Sequence, residues 1–257
     1  MILLGRLFLT GFKKITGNRI DPKLYDRRTT LLKQSIRNID LKKFKTESLK
    51  FFIINSIAGD WGIEDSEQEL NNYQKCLVIR ATEFDNDYNL NLDNSRVKYR
   101  LIKSAKLNKI DIQENDLLIE KSGGSPDQPV GRISIITNDI LHNDTICYSN
   151  FIHKIRVDNK NIFPEYLFCY LKTIHKIKLT ESMQSQTNGI RNLVMSAYFN
   201  QDIIVPILAD GGSDLKKQKE IAQKIQEIRQ KANELQQEAT AIIESAKQQV
   251  EQMILGH

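Results

Sequence analysis

Cysteine and proline are scarce in this 257-residue chain, and long apolar runs are missing. Cys76, Cys147 and Cys169 stand far apart and make no C-x-x-C pair. That argues against a disulfide scaffold or a zinc site and fits a reducing cytoplasm. Five prolines leave no Pro-rich linker. No stretch approaches the ~20 apolar residues of a membrane span. The opening MILLGRLFLTGFKK is apolar but has no basic residue ahead of it and no clear small-residue cleavage site. It reads as a strand or buried edge rather than a signal peptide.

Recognisable catalytic patterns are missing as well. There is no Asn/Asp-Pro-Pro-aromatic tetrapeptide, no G-x-G-x-x-G after a strand, and no P-loop, because GGSPDQP (123–129) lacks the G-K-[ST] ending. Pro126–Asp127 is followed by no (D/E)-x-K triplet of the nuclease kind. His142, His153, His175 and His257 have no H-x-x-x-H or H-E-x-x-H spacing. His153 and His175 read as structural or surface residues, and Trp61 as core. A binding module is expected rather than an enzyme. Two other readings stay open: a coiled-coil assembly or adaptor protein whose globular head binds protein, and an enzyme with an unusual site.

What is present is unevenly spread. The overall charge is +5, but residues 1–60 carry net +8, residues 61–213 net −3, and residues 214–257 none. A basic patch of this kind suits a polyphosphate backbone, with Arg27, Arg28, Lys42 and Lys43 as phosphate candidates. Residues 21–37 read as a helix capped by Asp21 with Pro22 at its first position. From Phe51 to about Val157 the pattern changes to short strands rich in β-branched residues: 76–81, 116–121, 130–137 and 151–157. Asn, Asp and Gly clusters at 85–94, 123–129 and 138–144 read as turns between them. Residues 164–177 predict a helix opened by Pro164, with Leu167, Tyr170, Leu171 and Ile174 on one face. A polar segment, 185–192, precedes a last strand at 202–207, and GGS at 211–213 marks the change of architecture.

Residues 214–255 contain neither Gly nor Pro. Ile221, Ile225, Ile228, Ala232, Leu235, Ala239, Ile242, Ala246, Gln249 and Met253 step alternately by four and three, and all but Gln249 are apolar. This heptad seam predicts a coiled coil. Some forty residues span roughly 60 Å, beyond the ~26 Å expected for a 100-residue domain. The helix should therefore project and need a partner. One seam row is Ile221, Ile228, Leu235 and Ile242; the other is Ile225, Ala232, Ala239 and Ala246. An antiparallel pair sets large against small and fills space evenly. Charge agrees, since 214–231 carries net +3 and 232–257 net −3. Antiparallel self-pairing is the expectation.

CLVIRATEFDN (76–86), DLLIEKSGGSPDQPVGRISII (116–136), FIHKIRVDNKNIFPEYLFCYLK (151–172) and QTNGIRNLVMSAYFNQDIIVPI (186–207) follow one another ahead of the seam helix. In this order they resemble the target-recognition domains of type I restriction-modification specificity subunits. DLLIEKSGGSPDQPVGRISII (116–136) looks like their strand, Gly-rich turn and strand. QTNGIRNLVMSAYFNQDIIVPI (186–207) is similar to their closing G-x-x-N-L loop and strand. FIHKIRVDNKNIFPEYLFCYLK (151–172) resembles their strand-then-helix with an exposed P-E-Y-L start, and CLVIRATEFDN (76–86) their opening strand. The seam helix takes the place of the family's spacer helix. The likeness covers roughly 45–257. One departure stands out: after the last strand the family has Pro-Pro-Leu-x-x-Gln, whereas PILADGGSDLKKQ (206–218) keeps one proline and inserts a glycine-rich link.

The resemblance implies an α+β fold: a mixed, curved β-sheet globular target-recognition domain (1–213, with a basic part at about 1–44), then one long C-terminal coiled-coil helix (214–257). It implies a non-catalytic DNA recognition subunit that directs adenine methylation, and restriction, to a bipartite site. With one recognition domain and one spacer helix, the chain looks like a half-subunit, rebuilt as an antiparallel homodimer through the seam Ile221, Ile225, Ile228, Ala232, Leu235, Ala239, Ile242, Ala246 and Met253. Expected partners are double-stranded DNA, a modification (methylase) subunit and a restriction subunit, without a membrane. No cofactor is expected in this chain, and S-adenosylmethionine belongs in the partner methylase. Base edges should meet long polar side chains on loops held by strands. The candidates are Gln186, Asn188, Arg191 and Asn192, then Lys121, Ser122, Gly123, Gly124 and Ser125, whose backbone can approach a phosphate, with Arg132, Arg80 and Thr82 beside them.

Overall fold

The computed structural model describes residues 30–31, 34, 36, 38–65, 70–93, 96–124, 128–187 and 189–256. The apolar opening, Arg27, Arg28, Ser125 and Asn188 lie outside them. Of the helix expected over 21–37, Thr30, Leu31, Gln34 and Ile36 are described, and these are helical. The chain then runs β1 (Phe44–Ser48), α1 (Leu49–Phe52), β2 (Ile53–Ala58), β3 (Ile63–Glu64), β4 (Tyr73–Ile79), β5 (Lys98–Lys103), α2 (Ser104–Ile110), β6 (Leu117–Glu120), β7 (Ser122–Gly123), β8 (Ile133–Ile135), α3 (Asn138–Asn143), β9 (Ile146–Tyr148) and β10 (Ile152–Val157). It continues through α4 (Pro164–Lys176), β11 (Gln184–Thr187), β12 (Ile190–Leu193), α5 (Met195–Phe199), β13 (Asp202–Pro206) and α6 (Leu215–Leu255).

The architecture is mixed α and β with curved sheets and a long terminal helix. An antiparallel sheet, β2-β10-β6-β8, lies between two hydrophobic cores, and a mixed sheet, β3-β5-β4-β9, closes the second of them. In β6, Leu117 and Ile119 enter the core shared with α4, while Leu118 enters the core shared with β4 and β9. Burial on both faces explains why DLLIE is a continuous apolar run without period-two alternation. The three cysteines are buried and unpaired. Burial raises the Cys76 thiol to about 12 and the Cys147 thiol to about 11, which keeps both protonated.

An ion cluster fixes β10 against α2. Lys154 is fully buried, lies 3.2 Å from Asp116, and donates to the carbonyls of Ile110 and Asp111 at the end of α2. Burial lowers its pKa, opposed by Asp116. Arg156 donates to Asp116 and Asp111 at 2.7 and 2.9 Å. A cation at a helix C-terminus satisfies carbonyls that have no partner within the helix.

Two expectations are corrected. The Asn/Asp-rich 138–144 stretch is not only a turn: it forms α3, because Ile140 and Leu141 pack on the second core. The P-E-Y-L start of α4 is not exposed. Pro164, Tyr166 and Leu167 are buried, and the Tyr166 and Tyr170 hydroxyls donate to Ile204 and Asp202 carbonyls of β13 at 2.6 and 3.0 Å.

The glycine-rich link to α6 is a closed turn. Leu208 N–H donates to Gly212, Gly211 N–H to Leu208, and Asp214 N–H to Pro206. Asp214 then caps α6, accepting from Lys217 N–H at 2.9 Å. Gln218, fully buried, accepts from Phe163 N–H at 2.8 Å, just ahead of α4. The helix root is thereby keyed to the body despite the missing proline.

Candidate nucleic-acid interface

β11 and β12 form a hairpin, with Gly189 in the left-handed region at its turn (φ +79). β7 adds a third strand, pairing Gly123 with Arg191 and Ser122 with Asn192. Segments some 65 residues apart thus share one small sheet. The Ser122 hydroxyl donates to Asn192 Oδ1 at 2.7 Å, and Leu193 N–H donates to the Lys121 carbonyl at 2.7 Å. Leu193 itself is buried and anchors the hairpin. Gly124 has φ +68, and a Cβ there would lie 3.0 Å from the Gln128 carbonyl, so this turn needs glycine.

Register divides the expected contacts between two faces. Gln186 and Arg191 are direct cross-strand partners, and Gly123 lies opposite Arg191. Asn192 pairs with Ser185 and Ser122, and shares the other face with Ile190. Gln186, Ser185, Ile190, Gly123 and Gly124 are exposed; Arg191, Asn192 and Lys121 are partly so, and Ser122 is buried. Phe151, half exposed, sits beside this sheet because its carbonyl accepts from Lys121 and Ser122 N–H. Neither Ile190 nor Phe151 stood out in the sequence, since single apolar residues in turns carry no pattern.

Other expected contacts are tied to buried carboxylates. Arg132 makes a bidentate pair with buried Glu120 (2.9 and 3.1 Å) and donates to the carbonyls of Ala81 and Phe84. Arg80 is paired with buried Glu83 at 2.7 Å and donates to the Arg96 carbonyl. Thr82 donates to the same Glu83 carboxylate at 2.8 Å. These groups hold loops in place. His175 does the same from α4: its Nε2 lies 2.8 Å from the Pro129 carbonyl and its Nδ1 2.5 Å from the Tyr88 hydroxyl. A carbonyl only accepts, so Nε2 carries the proton and Nδ1 accepts from Tyr88. Burial lowers the pKa of His175 and raises that of Tyr88 to about 12, which preserves this arrangement. Lys172 donates to the Asp87 carbonyl, and burial lowers its pKa to about 8. Glu120 and Lys172 were not legible beforehand, because each is defined by a partner distant in sequence; Glu83 meets Arg80 and Thr82 within three residues, and His175, read as structural or surface, proves structural. Lys42 and Lys43 are exposed in the turn before β1, where the Lys43 carbonyl accepts from Ile207 N–H near the root of α6.

Residues 53–245 match the model of the type I restriction modification DNA specificity domain. The chain belongs to this family. A specificity domain recognises DNA and does not catalyse. No curated relative matches the sequence. Among solved structures, a chain from a type I restriction-modification assembly is similar in fold, with a TM-score of 0.52 and 17% identity over 88% of this chain and 49% of that one. The specificity subunit from M. genitalium aligns with a TM-score of 0.46 and 10% identity, over 77% of this chain and 42% of that one. The HsdS subunit from Thermoanaerobacter tengcongensis gives 0.43 and 17%, over 81% and 45%. The specificity domain described here spans under half the length of each of these chains.

The family match runs well into α6. Ala222 and Gln218 bury the helix root, and Ile221 packs on the first core, so the seam expected from Ile221 onward is partly spent within the chain. Beyond the root the helix leaves the body, and Ile228, Leu235, Ile242 and Met253 stand 56–82% exposed. Gln226, Arg229, Asn233 and Gln237 line a cleft of about 700 Å³, facing Asp87, Asn115 and Lys172. At 3.6 residues per turn those positions fall roughly opposite the seam. Beyond its root, α6 therefore turns a polar face toward the body and its apolar face away. Among the described residues no helix is long and apolar enough to cross a membrane.

Proposed function

We propose that this chain is one half of a type I specificity subunit, which reads duplex DNA through the β11–β12–β7 sheet and pairs with a second copy through α6. Gln186, Arg191 and Asn192 offer the bidentate geometry that suits adenine and guanine edges. Backbone N–H groups at Gly123 and Gly124, with Lys121, suit a phosphate, and Lys42 and Lys43 supply further positive charge. Antiparallel pairing of the two helices would give a symmetric reader of a bipartite site, its halves separated by an unread gap set by the helices. Adenine methylation would fall to a modification subunit carrying S-adenosylmethionine, joined in complete systems by a restriction subunit. The observation that carries this reading is the exposed seam on a helix keyed by Gln218 to a body that presents the hairpin. It is tested by exchanging residues 45–210 with those of another half-subunit, reconstituting the methylase complex and mapping methylated adenines across a genome. The methylated sequence should follow the exchanged segment. If sequence choice stayed with the helix instead, recognition would lie elsewhere.

A further inference from the structure

Ile190 is half exposed at the tip of a hairpin whose neighbouring exposed positions offer no other apolar side chain: Ser185, Gln186 and Gly189. No core contact among the described residues accounts for it. The hairpin is anchored instead by Leu193 in the core and by the pairing of β12 with β7. A tight turn favours glycine and short polar residues, and Gly189 already meets the backbone demand at φ +79. An isoleucine adds nothing to the turn and leaves apolar surface in water. It shares a strand face with Asn192, whose Oδ1 accepts from Ser122 and whose amide nitrogen, a donor, has no hydrogen-bond partner among the described residues.

A two-stranded ribbon fits the major groove of B-DNA, where the thymine C5-methyl is the apolar feature on an otherwise polar edge. An apolar tip beside a polar amide on one ribbon face matches a step holding a thymine methyl next to a hydrogen-bonding base edge. We infer that Ile190 is a specificity-determining residue that packs against a thymine methyl in the target. The inference rests on the DNA-recognition reading above and adds to it the chemistry read at one position.

The test uses the full chain, alone and with its methylase, and a duplex selected by it from a random pool. Each thymine is replaced in turn by deoxyuridine, which lacks only the methyl group. Wild type should lose affinity at one position by roughly four-fold, the worth of one buried methyl. Ile190→Ala should bind the unmodified duplex about as weakly and no longer respond at that position, while Ile190→Val keeps most of the response. Unchanged melting of both variants excludes a folding defect. If Ile190→Ala binds as wild type, or weakens but still responds to every substitution as wild type does, the inference fails and DNA recognition stands. If wild type selects no sequence over a scrambled duplex, the recognition reading itself fails and takes this inference with it.

Discussion

An arginine near a recognition surface can face the ligand or hold the loop that does, and its partners decide which. Arg132 gives its guanidinium to Glu120 and to two carbonyls. Arg132→Ala would strand a carboxylate that is 1% exposed, and we expect a loss of about 3–5 kcal/mol in stability, read as a lower urea midpoint. Arg191 is partly exposed on β12, opposite Gln186, where the proposed base contact places it. Arg191→Ala is expected to cost about 1–3 kcal/mol in discrimination at one base pair with little change in the midpoint; uniform weakening across sequences would make it a backbone contact. His153 gives a pH signature. Burial pushes its pKa down to about 4, and its Nε2 lies 2.7 Å from the Ser56 hydroxyl. Between pH 6.5 and 4 the unfolded chain binds a proton at this histidine that the folded chain does not, so stability falls as pH falls through that window. The full shift would be worth about 3 kcal/mol; with the ring partly exposed we expect roughly 1–2 kcal/mol. Urea midpoints of His153→Gln should show a correspondingly flatter profile, with the contribution of His175, of the same sign, left in place.

At the scale of elements, local pattern and packing agree in some places and part in others. Helix α4 begins at Pro164 and ends within a residue of its expected limit, because proline geometry and an apolar face are local properties. The Asn/Asp-rich stretch that became α3 has the composition of a turn, and two side chains reaching a core outweigh it. Helix α6 shows both outcomes. Its length follows from composition, yet Ile221 goes to the body rather than to a partner. The free seam therefore effectively starts near Ile228. Replacing Ile228 and Leu235 with Asp should abolish self-association, measured by sedimentation equilibrium, while circular dichroism retains the helix signal. An unchanged oligomer would contradict the pairing.

In the whole molecule, the important relation is between the hairpin and the helix. The closed turn at 206–214 and the Gln218 hydrogen bond join α6 to the body at a defined angle. A bipartite reader needs such an angle, because a loose link would leave the spacing of the two half-sites unset. For this reason the exchange of residues 45–210 is informative: it moves the hairpin and keeps the helix, so a change of target sequence with unchanged spacing is the expected outcome.

By itself the sequence determined the long helix, its apolar seam, four strands (those read at 76–81, 116–121, 130–137 and 151–157) and the place where one architecture gives way to another. Each of these rests on periodicity or on Pro and Gly chemistry, which act over a few residues. The tertiary structure alone decided which polar side chains are tied to buried groups. Arg80, Thr82 and Arg132 resemble Arg191 and Asn192 in type, and the structure pairs the first three with the buried carboxylates of Glu83 and Glu120, Thr82 while itself exposed. A buried carboxylate is costly to leave unpaired; Glu83 finds Arg80 within one turn, whereas only the pairing of β6 with β8 brings Arg132 within reach of Glu120.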